Sequence, residues 1–306
     1  YTFPSIFTFF KPAEPFLIGF GFSSNEKKST RPTPHAIKLL KCEDGLAEDQ
    51  PPIVSNDNKD EQPILSKEDI PETFIIAENG NIEKAIERYQ NTLNWRKEIK
   101  ADSALETPHP KFFICKQYYP SCLHGRDKLG SVVYYERLGG IDVEMLKKKG
   151  IDTKLLLWHY MFQMENLWSN ICSSQEDRTT TILDMKGVVM KDVQGEVLAF
   201  VKASIGMLSS HYPARSNCIF IINVPGWFSW VFRLIKPLLN EETRSKIRPC
   251  DASQYEEALK EWINDDEIPK EYGGSSKFPL FEHPWEIRLK DHVENVLKRE
   301  GIEPEY

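Results

Sequence analysis

The chain has 306 residues, 40% hydrophobic and 28% charged, with a formal net charge of −7. That balance fits a folded globular protein of one large domain or two smaller ones. The acidic excess argues against a dominant nucleic-acid footprint, which needs a basic face.

Beginning at Tyr1 rather than Met, the sequence is expected to be a fragment or a processed form. Its first stretch, "YTFPSIFTFFKPAEPFLIGFGF", is aromatic and apolar but interrupted by Pro4, Lys11, Pro12, Glu14 and Pro15. It makes a poor membrane span and a poor signal peptide. Residues 23–66 are polar and aperiodic, as expected of an irregular or disordered linker. Order is expected to begin with "GNIEKAIERYQNTLNWRKEI". Asn81 is placed to cap a helix whose apolar face carries Ile82, Ile86, Tyr89, Leu93 and Trp95. Pro108 and Pro110 close that helical piece.

Strand and helix patterns then alternate. "HGRDKLG" reads as a turn holding His124 and Asp127, and "SVVYYERLGG" as a strand stopped by its glycines. "KLLLWHYMFQMENLW" predicts a helix apolar around much of its circumference. "TTTILDMKG" is a strand ending at Asp184, and "VQGEVLAFVKASIGMLSSHYP" a helix. "CIFIINVP" is a fully buried strand. This alternation argues an α/β fold with a mainly parallel or mixed sheet and flanking helices.

Residues 227–239, "WFSWVFRLIKPLL", are unusual. On a helix at about 100° per residue, Trp227, Phe228, Trp230, Val231, Phe232, Leu234, Ile235, Leu238 and Leu239 cover roughly 200° of arc. A helix docked on one core needs little more than about 100°. A bilayer span needs about 20 apolar residues, so this run is too short. One side is expected to meet the protein and the other an apolar partner that is not always present. Trp227, Trp230 and Leu234 lie at one edge, and Phe228, Phe232 and Leu239 at the other. Which edge faces inward stays open.

The six cysteines, Cys42, Cys115, Cys122, Cys172, Cys218 and Cys250, form no CxxC, and no His/Cys set has zinc-ligand spacing. Free buried thiols in a reducing compartment are expected. No P-loop, G-x-S-x-G or other nucleophile arrangement occurs, so no catalytic residue, metal or cofactor is assigned.

The pieces "NWRK", "VVYYERLG", "TILDMKG", "HYPARSNCIFIINVPGWFSWVFRLIKPLLNEETRSKI" and "IPKEYGG" stand in one order. Over about residues 74–275 they resemble the CRAL-TRIO lipid-binding family, in particular its yeast-type phosphatidylinositol/phosphatidylcholine transfer proteins. The resemblance implies a small helical lobe (67–108) after the N-terminal segment (1–66). A lipid-binding lobe (109–275) with a large apolar pocket and a C-terminal extension with a helix (276–306) would follow. Residues 227–239 match the gate over that pocket. Each buried CH₂ is worth roughly 0.8 kcal/mol, so holding an acyl chain out of water saves on the order of 10 kcal/mol. Exchange through such a pocket needs no chemistry.

The resemblance assigns Thr243 and Lys246 to a phosphoinositol headgroup, and Thr179, Thr181 and Tyr134 to phosphatidylcholine. It also shows departures. Ala214 stands where the family has the glutamate that pairs with the lysine matching Lys246. Glu78 falls where an arginine helps hold inositol phosphate, and Leu123 replaces a tyrosine. Phosphatidylcholine, or another neutral lipid, is therefore expected to exceed phosphatidylinositol among bound species. The implied function is a monomeric cytoplasmic carrier. It would exchange a phospholipid at transiently contacted membranes or present it to a lipid-modifying enzyme. Two alternatives stand beside it. One is a carrier of a sterol or isoprenoid. The other is an interaction module with a structural lipid, docking through Ile287, Val293, Val296 and Leu297.

Overall fold

The computed structural model describes residues 65–306. The aromatic stretch at 1–22, nearly all of the polar stretch at 23–66, and Cys42 lie outside the described residues.

Two helices open the described chain, α1 (Glu72–Ala77) and α2 (Ile82–Ile99). Asn81 caps α2 as expected, its side chain accepting from the Lys84 amide at 3.0 Å. The helix ends where Lys100 turns left-handed at φ 57°, before either proline. Trp95 and Arg96 tie α2 to the rest. Trp95 stacks on His211 with centroids 3.9 Å apart. Arg96 grips both oxygens of Glu165 at 3.0 and 2.8 Å. Tyr212 donates its hydroxyl to the same carboxylate.

Next come α3 (Phe112–Tyr118), β1 (Ser121–Arg126) and β2 (Val132–Arg137). They are followed by α4 (Val143–Lys148) and α5 (Thr153–Asn166). Then β3 (Thr179–Asp184), α6 (Gly195–His211) and β4 (Ser216–Ile222) alternate. The chain continues through α7 (Phe228–Ile235), α8 (Glu241–Ser245) and β5 (Ile247–Pro249). It closes with α9 (Tyr255–Trp262) and α10 (Pro284–Arg299). The sheet runs β1-β2-β3-β4-β5. Only β1–β2 is antiparallel; the other pairings are parallel, the mixed sheet expected.

The strand alternation splits the core in two. Val133, Tyr135, Ile182, Cys218, Phe220 and Ile222 pack on one face, against Leu259, Ile263 and Tyr272. Val132 and Tyr134 belong to the opposite core, with Phe112, Phe162, Phe200 and Leu289. The described cysteines are free and buried. Two of the quoted motifs serve the frame. Asp184 accepts from Asn223 Nδ2 at 2.7 Å and from the Tyr272 hydroxyl at 3.0 Å, joining "LDMKG" to "EYGG". Gly139 has no room for a Cβ, which would sit 1.9 Å from the Lys186 carbonyl oxygen.

The structure corrects three readings. "HGRDKLG" is not all turn: His124 is buried within β1, paired with Ser276 Oγ at 3.1 Å. Asp127 does shape the hairpin, accepting from the Leu129 and Ser131 amides. It also accepts from Thr180 Oγ1 and Asn217 Nδ2, on β3 and β4. The helix expected over 227–239 is shorter. It ends at Ile235 and passes into a 3₁₀ turn at Lys236–Leu238, because Pro237 has no amide to donate and its ring crowds the preceding turn. Finally, β4 is not buried throughout: Ser216, Asn217 and Ile219 are half-buried, and Ile219 lines a cavity together with the buried Ile221.

Candidate functional site

One face of β3 and β4, α6, α7 and α8 enclose about 1540 Å³ of space unfilled by protein atoms, part of it continuous with solvent. Its walls are mostly apolar: Leu183, Val197, Phe200, Val201, Ile205, Leu208, Ile219 and Ile221. A neighbouring lobe of about 930 Å³ lies toward α4. Tyr119, Glu136 and Phe200 line both lobes, so they stand where the two meet.

The cavity closes on α7. Phe228, Val231, Ile235 and Leu239 line it. Trp230, Leu234 and Leu238 point outward and are 44%, 40% and 42% exposed. Phe232 stacks on Phe228 with centroids 5.6 Å apart. The grouping of Trp227 with Trp230 is corrected, because Trp227 packs beside Met185, Val188 and Ile221. The wide apolar arc therefore divides into a cavity face and a solvent face.

The polar residues gather at the α8 end. Thr243 and Lys246 line the cavity beside Asn240, Glu242, Arg215 and Ser216. Lys246 Nζ is held by Glu242 Oε1 at 2.6 Å and by the Ser216 carbonyl at 2.7 Å. Ala214 lines the same cavity in a left-handed conformation, φ 54°. The partner missing at 214 is thus supplied one helical turn before Lys246. Glu78 stands apart from the cavity lining and pairs with Arg88 at 2.6 Å. Its carboxylate is spent on that cation, which corrects the expectation of a repulsive charge at the headgroup.

Thr181 lines the cavity, whereas Thr179 donates its hydroxyl to the Arg215 carbonyl at 3.3 Å and does not. Tyr134 is buried behind the wall, its ring 6.2 Å from that of Tyr160, which does line it.

Glu136 is a lining residue that the sequence reading does not single out, although its signal is present: a carboxylate two residues after Tyr134 in an otherwise apolar strand. Burial pushes its carboxyl up to about 7, partly opposed by the Tyr119 hydroxyl, which donates to it at 2.6 Å. A folded-state value above the ordinary 4.5 favours the protonated native state. The associated stability is complete below about 4.5 and lost as pH rises through about 7. Each pH unit between those two values is worth about 1.36 kcal/mol. Unfolding of the lipid-free chain at pH 5 and pH 8 should therefore differ by about 2–3 kcal/mol more for the wild type than for Glu136→Gln. Identical pH dependence in the two proteins would mean that water reaches this carboxyl.

Among the described residues, no helix is long and apolar enough to cross a membrane.

The chain is similar to known proteins. The CRAL/TRIO domain family matches residues 116–274. The SEC14 cytosolic factor of Kluyveromyces lactis is 32% identical over 214 residues, covering 67% of this chain and 69% of that protein. Phosphatidylinositol/phosphatidylcholine transfer protein SFH12 of Arabidopsis thaliana is 30% identical over 209 residues, covering 66% of this chain but 38% of that longer protein. The crystal structure of Sfh5 superposes with a TM-score of 0.56 at 20% identity, over 74% of this chain and 80% of its own. That last likeness supports the fold alone.

Proposed function

The chain belongs to the CRAL/TRIO domain family, and from that premise we propose that it is a non-catalytic carrier of one membrane phospholipid. The acyl chains occupy the two apolar lobes. The headgroup lies at the α8 end, and α7 swings aside when the protein rests on a bilayer. One observation carries this reading: α7 lines the cavity with one apolar face and offers a second apolar face to solvent. A wall that is apolar on both sides is costly in water, and an exposed apolar face of this kind fits a contact surface such as a membrane. The names of the relatives, a cytosolic factor and a phosphatidylinositol/phosphatidylcholine transfer protein, support the same reading. The first name also supports a cytoplasmic protein; the transient contact with membranes is part of the proposal. The domain division at residues 66, 108 and 275 remains part of this proposal. The alternative of an interaction module docking through α10 is disfavoured, because Val293, Val296 and Leu297 are buried in this chain's own core.

Two headgroups fit the lining. Thr243 and Lys246 offer a hydroxyl and a cation to a phosphoinositol. Thr181 and the tyrosines around Glu136 offer a hydroxyl and aromatic faces to a phosphocholine. The repaired Lys246–Glu242 pair favours keeping phosphatidylinositol among the ligands, alongside the phosphatidylcholine expected from the sequence. Mass spectrometry of co-purified lipid, with transfer between donor and acceptor vesicles, tests the proposal. A chain that binds phospholipid and never releases it to acceptors is a module, not a carrier.

The headgroup assignment has its own test. Lys246→Ala should lower phosphatidylinositol transfer roughly 10- to 100-fold, since a charge-assisted contact is worth about 1.5–3 kcal/mol. Phosphatidylcholine transfer should change much less. Thr181→Val should show the opposite preference. Equal loss of both activities in either variant would point to damage of the fold.

A further inference from the structure

Folding assembles, away from the lipid cavity, a set of metal-ligating side chains that no sequence spacing announces. His109 precedes α3, Cys115 lies on α3 and His159 on α5. One donor atom of each lies within 4.8 Å of the other two. His109 is 2% exposed, and Cys115 and His159 are fully buried. His109 Nε2 and His159 Nδ1 share a hydrogen bond at 2.9 Å. His159 Nε2 is buried with no hydrogen-bond partner. That nitrogen is open to a group that would complete it. The surroundings are dry and aromatic, with the rings of Phe112, Trp158 and Phe162 centred 5.6, 4.8 and 5.5 Å from that of His109.

We infer that His109, Cys115 and His159 bind one copper(I) ion. A thiolate with two imidazoles suits copper or zinc among the first-row metals. Zinc almost always takes four ligands, and among the described residues no fourth histidine, cysteine or carboxylate joins this group. Burial leaves little access for a water to fill the place. Charge decides in the same direction. On binding, the Cys115 thiol gives its proton to solvent, and the thiolate cancels the single charge of copper(I). No electron is transferred. Zinc(II) or copper(II) would leave a net positive charge in an apolar core. Burial keeps both imidazoles neutral. Two neutral imidazoles joined by one hydrogen bond have one free lone pair between them, so copper(I) must displace the His109–His159 bond to draw on both rings.

The test uses the purified full chain. Copper(I) is supplied anaerobically, with reductant, as a complex with a chromophoric chelator. One copper per chain should leave the chelator, the thermal midpoint should rise, and X-ray absorption should find one sulfur and two nitrogens around the metal. Cys115→Ser and His159→Gln should each weaken copper binding by more than about 100-fold, since loss of an outer-shell partner alone costs about 10- to 100-fold. Cys218→Ser, a buried thiol on β4, should bind as the wild type does. The wild-type stoichiometry needs no variant to fold. Failure of the wild-type chain to take copper overturns the inference. So does copper binding that survives in Cys115→Ser, or coordination by sulfur alone. Tighter binding of zinc(II) than of copper(I) would overturn the charge argument and the choice of metal with it.

Discussion

Replacing Lys116 by Met is expected to be among the most destabilising single changes in the chain. Lys116 is 8% exposed and Glu286 2%, and they face each other at 2.7 Å. Glu286 also accepts from the Leu123 amide at 2.8 Å, and Lys116 Nζ donates to Gln163 Oε1 at 3.2 Å. Removing the ammonium leaves a carboxylate in the core with no cation, at a cost of about 3–5 kcal/mol. The remedy follows from the same physics. Lys116→Met combined with Glu286→Gln removes both charges while keeping an amide oxygen for Leu123, so it should recover most of the loss. Urea unfolding of the two variants measures this directly. If the single variant unfolds with the wild type, water must reach Glu286 and the pair is a surface feature. Because Glu286 stands on α10, the outcome also bears on the C-terminal segment. Leu289, Val293 and Leu297 follow it into the core shared with α3, α5 and α6. Cutting the chain before α10 should therefore cost at least as much as the single substitution.

Local signals in the sequence survive folding well. The cap at Asn81 and the strands ending at Arg137, Asp184 and Ile222 depend on neighbours within a few residues, and the pattern shows them. β1 is not legible. Its polar residues look like a turn because their partners are remote: Leu123 answers Glu286, His124 answers Ser276 and Arg126 answers Glu267. The cavity residues divide in the same way. The apolar arc of α7 is readable from periodicity, but its inward edge depends on what lies across the cavity. Glu242 as the partner of Lys246 is legible as an i, i+4 pair on α8. The family pattern hides it, because there the lysine's partner belongs at position 214. The Arg88–Glu78 pair joins two helix segments whose mutual packing no local pattern encodes.

Substituting Trp230 and Leu234 together by Ser is expected to leave the chain folded and to disable the protein at membranes. Both side chains are only partly covered by protein, so the change should cost no more than the covered part of each, about 1–2 kcal/mol per site. Full burial of such a side chain is worth about 1.5–3 kcal/mol. With more than half of each already covered, a bilayer adds less than half of that for each, about 1.5–3 kcal/mol at most for the pair. Vesicle affinity should then fall roughly 10- to 150-fold, at tenfold per 1.4 kcal/mol, and transfer should fall with it. Val231→Ser on the opposite face should behave differently. Val231 is buried and lines the cavity, so its substitution should lower the stability of the lipid-loaded chain while sparing vesicle contact. Thermal midpoints measured beside liposome sedimentation separate the two faces. If the double variant unfolds as readily as Val231→Ser, the outer residues are holding α7 to the fold, and its two apolar faces are not those of a gate. If instead the double variant is stable and still transfers lipid at the wild-type rate, the bilayer is met through some other surface.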